Sequence, residues 1–271
     1  MDSRDLTIGG QQLAYRQSPG TGRPVIFVHG NSASSSTWQG ILDGPVGQRY
    51  RCLAPDLPGH GRSAPAADAG GYSLPGYAAL LAGFADAAGA ADAVIVGWSL
   101  GGHIAIEASP GLPGAAGYVI FGTPPVSGPA QLAEGFLPHP AMTTAFTAEI
   151  SEAEARAYAA ASLAPGSELP LDDMVADILA TDGAARAGLQ AGIGAGKFAD
   201  EVGLIRGLTV PVAVLQGEAE QLVNPGYLAR LDIPSLWRGA VQVIPGAGHS
   251  PHLETPEAFT GLLTAFLDDL G

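Results

Sequence analysis

Lysine and cysteine each occur once in the 271 residues, at Lys197 and Cys52. A single cysteine allows no internal disulfide, so the core alone must hold the fold, and a reducing compartment fits that usage. Basic residues are scarce: 12 Lys and Arg stand against 26 Asp and Glu, a formal net charge of −14. Nucleic acids and anionic membranes attract basic patches, so neither is an expected partner. The acidity reads as a soluble surface. No apolar run approaches the ~20 residues that span a bilayer. Residues 1–12 are polar, with no apolar signal core, and a cytoplasmic protein is expected. Metal spacing is also missing. His103 with Glu107, and His249 with His252, form pairs, but no third ligand stands at a metal-site spacing. No metal and no cofactor are expected.

What is present is apolar. Hydrophobic residues make up 46% and charged residues 14%, enough for a large core in one domain with room for an insertion. Short apolar runs at residues 25–28, 93–96, 118–121, 212–215 and 241–244 predict buried parallel strands. Alanine-rich stretches at 77–88 and 99–108 read as helices. A last helix over 256–270 has Thr255 as its expected N-cap and Pro256 at its first position. Alternating strand and helix implies an α/β fold, a mostly parallel sheet with helices on both faces. Residues 124–207 break the alternation. Ser151 and Glu154 form a capping-box pattern before a helix reaching about Ser162, residues 171–180 suggest another helix, and Gly192, Gly194 and Gly196 suggest a flexible stretch. The expected organisation is a core of 1–123 and 208–271 with a helical cap, 124–207, inserted.

The chemistry starts at Gly97-Trp98-Ser99-Leu100-Gly101, between an apolar run and a helix. A serine on so tight a turn is strained, and glycines two positions to either side remove Cβ atoms that would clash. The turn lifts the hydroxyl above the sheet edge, at a helix N-terminus that favours developing negative charge. Of six histidines, His249 in "VIPGAGHSPH" follows the last predicted strand, where ligand-facing loops lie, and is the expected base. His252 is its near competitor. His29 and His60 come too early and read as structural. His103, four residues after Ser99, is expected to pack or bond locally. The loop after 212–215 offers two acids, Glu218 and Glu220; Glu220 is favoured, with Glu218 the alternative. The backbone N–H groups of Asn31 and Leu100 are the expected oxyanion hole.

"VHGN", "APDLPGHGRS", "GWSLGG", "GEAEQLV" and "GAGH" occur in the order, and over nearly the whole length, that resembles the α/β-hydrolase superfamily. That resemblance implies a structural role for "DLPGHGRS", hence no chemistry for Asp56, His60 or Arg62. Serine at position 99 departs from the haloalkane dehalogenases and epoxide hydrolases, which use aspartate there. "HGNS", "GWSLGGHI", "GTPPV" and a tyrosine in the first cap helix look more like the N-acyl-homoserine lactonases of this fold. This closer resemblance implies a lactone-opening, quorum-quenching serine hydrolase with glutamate as its acid, as Glu220 would be. It implies that Tyr158 helps hold the lactone, with Gly30 and Asn31 beside it. For Trp98, beside the serine, it implies either lining an acyl pocket or packing under the cap. In "SEAEARAYAA" Tyr158 also fits an ordinary amphipathic helix. A small acyl lactone or ester is the expected partner. A general carboxylesterase or carbon–carbon bond hydrolase would share the triad. A ligand receptor on a hydrolase fold is the non-catalytic alternative.

Overall fold

The computed structural model describes residues 2–271. Eight strands form one sheet: β1 (Asp2–Ile8), β2 (Gln11–Gln17), β3 (Gly22–Val28), β4 (Tyr50–Pro55), β5 (Val94–Trp98), β6 (Gly117–Phe121), β7 (Val212–Gly217) and β8 (Gln242–Ile244). Their order is β1-β2-β4-β3-β5-β6-β7-β8. The strands from β4 to β8 pair in parallel, while β2 is antiparallel to both β1 and β4. The five apolar runs lie on β3, β5, β6, β7 and β8. Sequence reasoning did not find β1, β2 or β4. The first two form a hairpin about Gly9 and Gly10, both at positive φ, and β1 is an edge strand facing largely solvent. Such an edge carries little apolar alternation to read.

Alternation through the central strands divides the core in two. On β3, Ile26 and Val28 face a cluster with Leu81, Phe84 and Ile104. Val25 and Phe27 face Trp38, Leu42, Phe259, Leu263 and Phe266. The first group comes from the helices Leu74–Ala87 and Leu100–Ala108, and the last three residues from Pro256–Asp269. Spacing of i, i+4, i+7 puts Phe259, Leu263 and Phe266 on one helical stripe. Thr255 is the N-cap by position only: its hydroxyl donates to the Pro251 carbonyl instead of accepting from the helix. Cys52 is buried on β4, and burial pushes its thiol up to about 12, so it is no nucleophile.

Between β6 and β7 the chain forms only helical segments, with a small core of its own around Ala155, Tyr158, Val175 and Ile178. The capping box is present: the Ser151 N–H donates to Glu154 Oε2 at 2.7 Å, and the Glu154 N–H to Ser151 Oγ at 3.2 Å. Of the three glycines expected to form a flexible stretch, Gly196 lies in the turn after a helix at φ 68°. Gly192 and Gly194 belong to the helix Gly183–Gly194, whose close approach to Tyr72 is made at Gly188, where a Cβ would come within 2.6 Å of the tyrosine. Among the described residues no helix is long and apolar enough to cross a membrane.

Candidate active site

β5 ends at Trp98, and Ser99 adopts φ 54°, ψ −118° before the helix Leu100–Ala108 begins. This backbone costs an L-residue roughly 1–3 kcal/mol and persists only where surroundings enforce it. The Ser99 N–H donates to the Phe121 carbonyl at 2.9 Å, and Thr123 Oγ1 donates to the Ser99 carbonyl at 2.8 Å. A Cβ on Gly97 would strike the Gly101 carbonyl, and one on Gly101 would strike Val28. Gly102, which sequence reading did not use, leaves room for the Thr123 hydroxyl. Gly101→Ala should therefore destabilise the fold by about 2 kcal/mol or more, read as a lower denaturation midpoint. An unchanged midpoint would contradict this packing.

His249 lies in the loop after β8, and Glu220 in the loop after β7. His249 Nδ1–H donates to Glu220 Oε2 at 2.8 Å, with the side chains only 5% and 2% exposed. Glu220 Oε1 accepts the Leu222 N–H at 2.7 Å. Burial pushes the Glu220 carboxyl up, but His249 and the N–H groups of Leu222 and Val223 outweigh it and hold its pKa below the usual value. Glu218 is exposed and accepts from the Gly246 N–H at 3.1 Å, away from the histidine. The imidazole lies over Gly122 at φ 61°, where a Cβ would come within 2.7 Å of the ring. Ser99 Oγ and His249 Nε2, the candidate nucleophile and base, are not within hydrogen-bond geometry, a separation that does not rule out such a pair before substrate binds. They are joined through β6: Phe121 bonds the serine backbone, and the next residue carries the imidazole.

His252 is not a second base. It is buried among Trp38, Trp98, Phe121 and Phe259, with Nε2 2.7 Å from Thr37 Oγ1. Burial, then His249, lowers its pKa to about 3. Trp98 packs on it and donates Nε1–H to the His249 carbonyl at 2.9 Å, steadying the loop. His29 is structural, accepting the Leu57 N–H and donating to the Gly30 carbonyl. His60 is buried beside it. Asp56 accepts the N–H groups of Ser35 and Arg62. His103 departs from expectation: its partner is not local but Glu201, 98 residues on.

Gly30 fits against Trp98 and Ser99, where a Cβ would lie 3.1–3.3 Å from both. Among the described residues the N–H groups of Asn31 and Leu100 have no backbone partner. The Asn31 side chain donates to the Ala145 carbonyl at 2.6 Å. Ser99 and Leu100 line an apolar cavity of about 710 Å³, with Asn31, Val126, Phe136, Phe146 and Tyr158. A more polar cavity of about 410 Å³, with Trp98 and Asp177 on its wall, shares Asn31 and Tyr158. Burial raises the Tyr158 pKa to about 12, so its hydroxyl stays a neutral donor. Among the described residues that hydroxyl has no hydrogen-bond partner. Trp98 thus lines the polar cavity and not the apolar one.

One feature left no signal in the sequence. Leu163 and Ala164 cross the loops that carry Glu220 and His249. Gln221 Nε2 donates to the Leu163 carbonyl at 2.7 Å, and Glu254 accepts the N–H groups of Ala164 and Gly248, each at 2.6 Å. Gly248 has no room for a Cβ beneath this crossing. Glu254→Gln should lower kcat several-fold with little change in KM, because it loosens the residue before His249. A change confined to KM would contradict a positioning role.

A model of the alpha/beta hydrolase family matches residues 25–262. The structure of the N-acyl homoserine lactonase AidH, as a mutant complexed with N-hexanoyl homoserine lactone, superposes with a TM-score of 0.95. It is 34% identical, covering 100% of this chain and 98% of that one. The esterase RhEst1 from Rhodococcus sp. ECU1013 gives 0.82 at 27% identity, covering all of both chains. Similarity to the dihydrolipoyllysine-residue acetyltransferase component of the acetoin cleaving system from Cupriavidus necator is partial. It is 35% identical over 100 residues, 37% of this chain and 26% of that protein. The match of the family model across most of the chain and the whole-length likeness to AidH lead to one conclusion: the chain belongs to the alpha/beta hydrolase family, and it is a hydrolase.

Proposed function

We propose that this hydrolase opens the ring of N-acyl homoserine lactones, a quorum-quenching activity, by Ser99-His249-Glu220 catalysis. The observation that carries the reading is the site of Ser99, on the wall of the apolar cavity that also holds Tyr158. The whole-length likeness to AidH supports it. Residues 124–207 act as the cap, and the acyl chain lies in the cavity beneath them. Ser99 attacks the lactone carbonyl while His249 Nε2 takes its proton. Glu220 fixes the imidazole through Nδ1 and stabilises the imidazolium. The Asn31 and Leu100 N–H groups receive the oxyanion. Gly30, Asn31 and Trp98 shape the space around the ring.

Lactone opening poses a difficulty that ester cleavage does not. The leaving hydroxyl stays tethered to the acyl group, at an effective concentration of up to roughly 10⁵ M or more if well oriented. Ring closure then outruns hydrolysis unless that hydroxyl is held aside while water enters beside His249. Tyr158, with a protonated and unpartnered hydroxyl, is placed to hold it. Tyr158→Phe should slow lactone opening roughly tenfold and leave straight-chain esters within about twofold. Equal losses on both would contradict the role.

A panel of acyl homoserine lactones and straight-chain esters of similar length, followed by acid release, tests the function. Lactones should be opened faster. Cleavage of the esters with the lactones left intact would replace this reading with a general carboxylesterase.

A further inference from the structure

His103 is a buried group that the triad does not use. It stands one helical turn beyond Ser99, its N–H donating to the Ser99 carbonyl at 3.3 Å, and both residues line the same cavity. It is 9% exposed, and what is exposed lines the apolar cavity together with Ser99, Phe136 and Ile193. Its Nδ1 lies 2.9 Å from both carboxylate oxygens of Glu201. Glu201 has a fully buried side chain and also accepts the Val126 N–H at 2.9 Å. Glu201 therefore fixes the ring orientation and keeps a proton on Nδ1. Among the described residues Nε2 has no hydrogen-bond partner, yet it is not sealed from the cavity.

A cavity built only for alkyl chains has no use for such a group, because an unpaired buried polar atom costs roughly 1–3 kcal/mol. We propose that His103 Nε2–H donates to an oxygen acceptor on the acyl part of the substrate, beyond the carbonyl that Ser99 attacks, and so selects oxygen-bearing acyl chains. The acceptor is either the amide carbonyl that joins the chain to the reacting unit or an oxo group further along. The charge state fits. Burial disfavours the imidazolium, but the Glu201 carboxylate, then Glu107, outweighs it and raises the His103 pKa. The buried Glu201 carboxylate, with both oxygens 2.9 Å from Nδ1, favours the imidazolium, the form in which Nε2 also bears a proton and is a charge-assisted donor.

The inference rests on the acyl chain occupying this cavity, and on lactone chemistry only for two of the five substrates in its test. Wild type, His103→Asn and His103→Gln are compared by kcat/KM. Asparagine keeps a donor where Nδ1 meets Glu201 and removes the one at Nε2. Glutamine does the reverse. The substrates are the hexanoyl and 3-oxohexanoyl homoserine lactones, the methyl esters of the same two N-acylglycines, and methyl nonanoate, which matches their chain length without an acceptor. In wild type the acceptor-bearing esters should exceed methyl nonanoate by roughly ten- to a hundredfold. His103→Asn should remove that preference and leave methyl nonanoate within about twofold. His103→Gln should keep part of it. If the 3-oxo compounds alone lose in His103→Asn, the oxo group is the acceptor; if all amide-bearing substrates lose equally, the amide carbonyl is. An unchanged preference in His103→Asn, or a uniform loss on every substrate, overturns the inference. Intact lactones beside a His103-dependent preference among the esters would instead remove the lactonase reading and leave this one standing.

Discussion

Ser99→Ala should lose roughly five to six orders of magnitude in kcat on every substrate the enzyme turns over. Nucleophile and base act as one unit, so removing either removes nearly all the covalent chemistry, and only binding and the oxyanion donors remain. The fold should survive. Alanine occupies the same space, and the hydrogen bonds that hold the turn, to Phe121 and from Thr123, run through the backbone of residue 99. Ser99→Gly should go further and raise stability by about 1 kcal/mol, since glycine adopts φ 54° without strain. Denaturant midpoints measured beside kcat check both halves. A Ser99→Ala enzyme that keeps a tenth of wild-type turnover would end the nucleophile assignment.

Glu220→Gln should cost roughly four orders of magnitude in kcat, whereas Glu218→Gln should stay within about twofold. The neutral amide no longer stabilises the imidazolium, and its NH₂ can face Nδ1 only by turning the imidazole to the wrong tautomer. Glu218 has its carboxylate in solvent, on the Gly246 N–H, where its charge is screened. The same pair affects stability. The Glu220 pKa is held below its unfolded value. Its ionised form therefore favours the folded state at pH values above the ordinary carboxylate pKa, and that contribution disappears as pH falls through the lowered one. Wild type should lose stability toward acid more steeply than Glu220→Gln, measured by denaturant midpoints across the acid range. The reverse ranking of the two variants in kcat would move the acid to position 218.

How much of this was legible depended on how local each signal is. The strands β3, β5, β6 and β7 are buried on both faces over their apolar stretches, so they read as unbroken apolar runs, while β8, at the sheet edge with Val243 exposed, was found from a shorter and mixed run. β1 has solvent on most of its length and left no run. The tight turn at Ser99 was legible because sterics confine it to five residues, and the Glu220–His249 pair because strand order places their loops. What was not legible depends on contacts between distant segments. The Glu254 link from Ala164 to Gly248 joins residues 90 and 6 positions away. His103 was read from its own helix, while the partner that fixes its ring starts the last of the inserted helices, 98 residues on. Gly122 looks like an ordinary strand end until the imidazole is seen against its Cα.

Rapid quench and mass spectrometry during turnover of an N-acyl homoserine lactone, with a straight-chain ester of similar length under the same quench, tests the central claim most directly. An ester adduct is expected on the peptide carrying Ser99 with both substrates, heavier by the mass of the intact lactone when the lactone is the substrate because its leaving hydroxyl stays attached, and no adduct in Ser99→Ala. Lactone turnover at full rate with no adduct on Ser99, while the straight-chain ester leaves one, would contradict it and make His249 the activator of a directly attacking water.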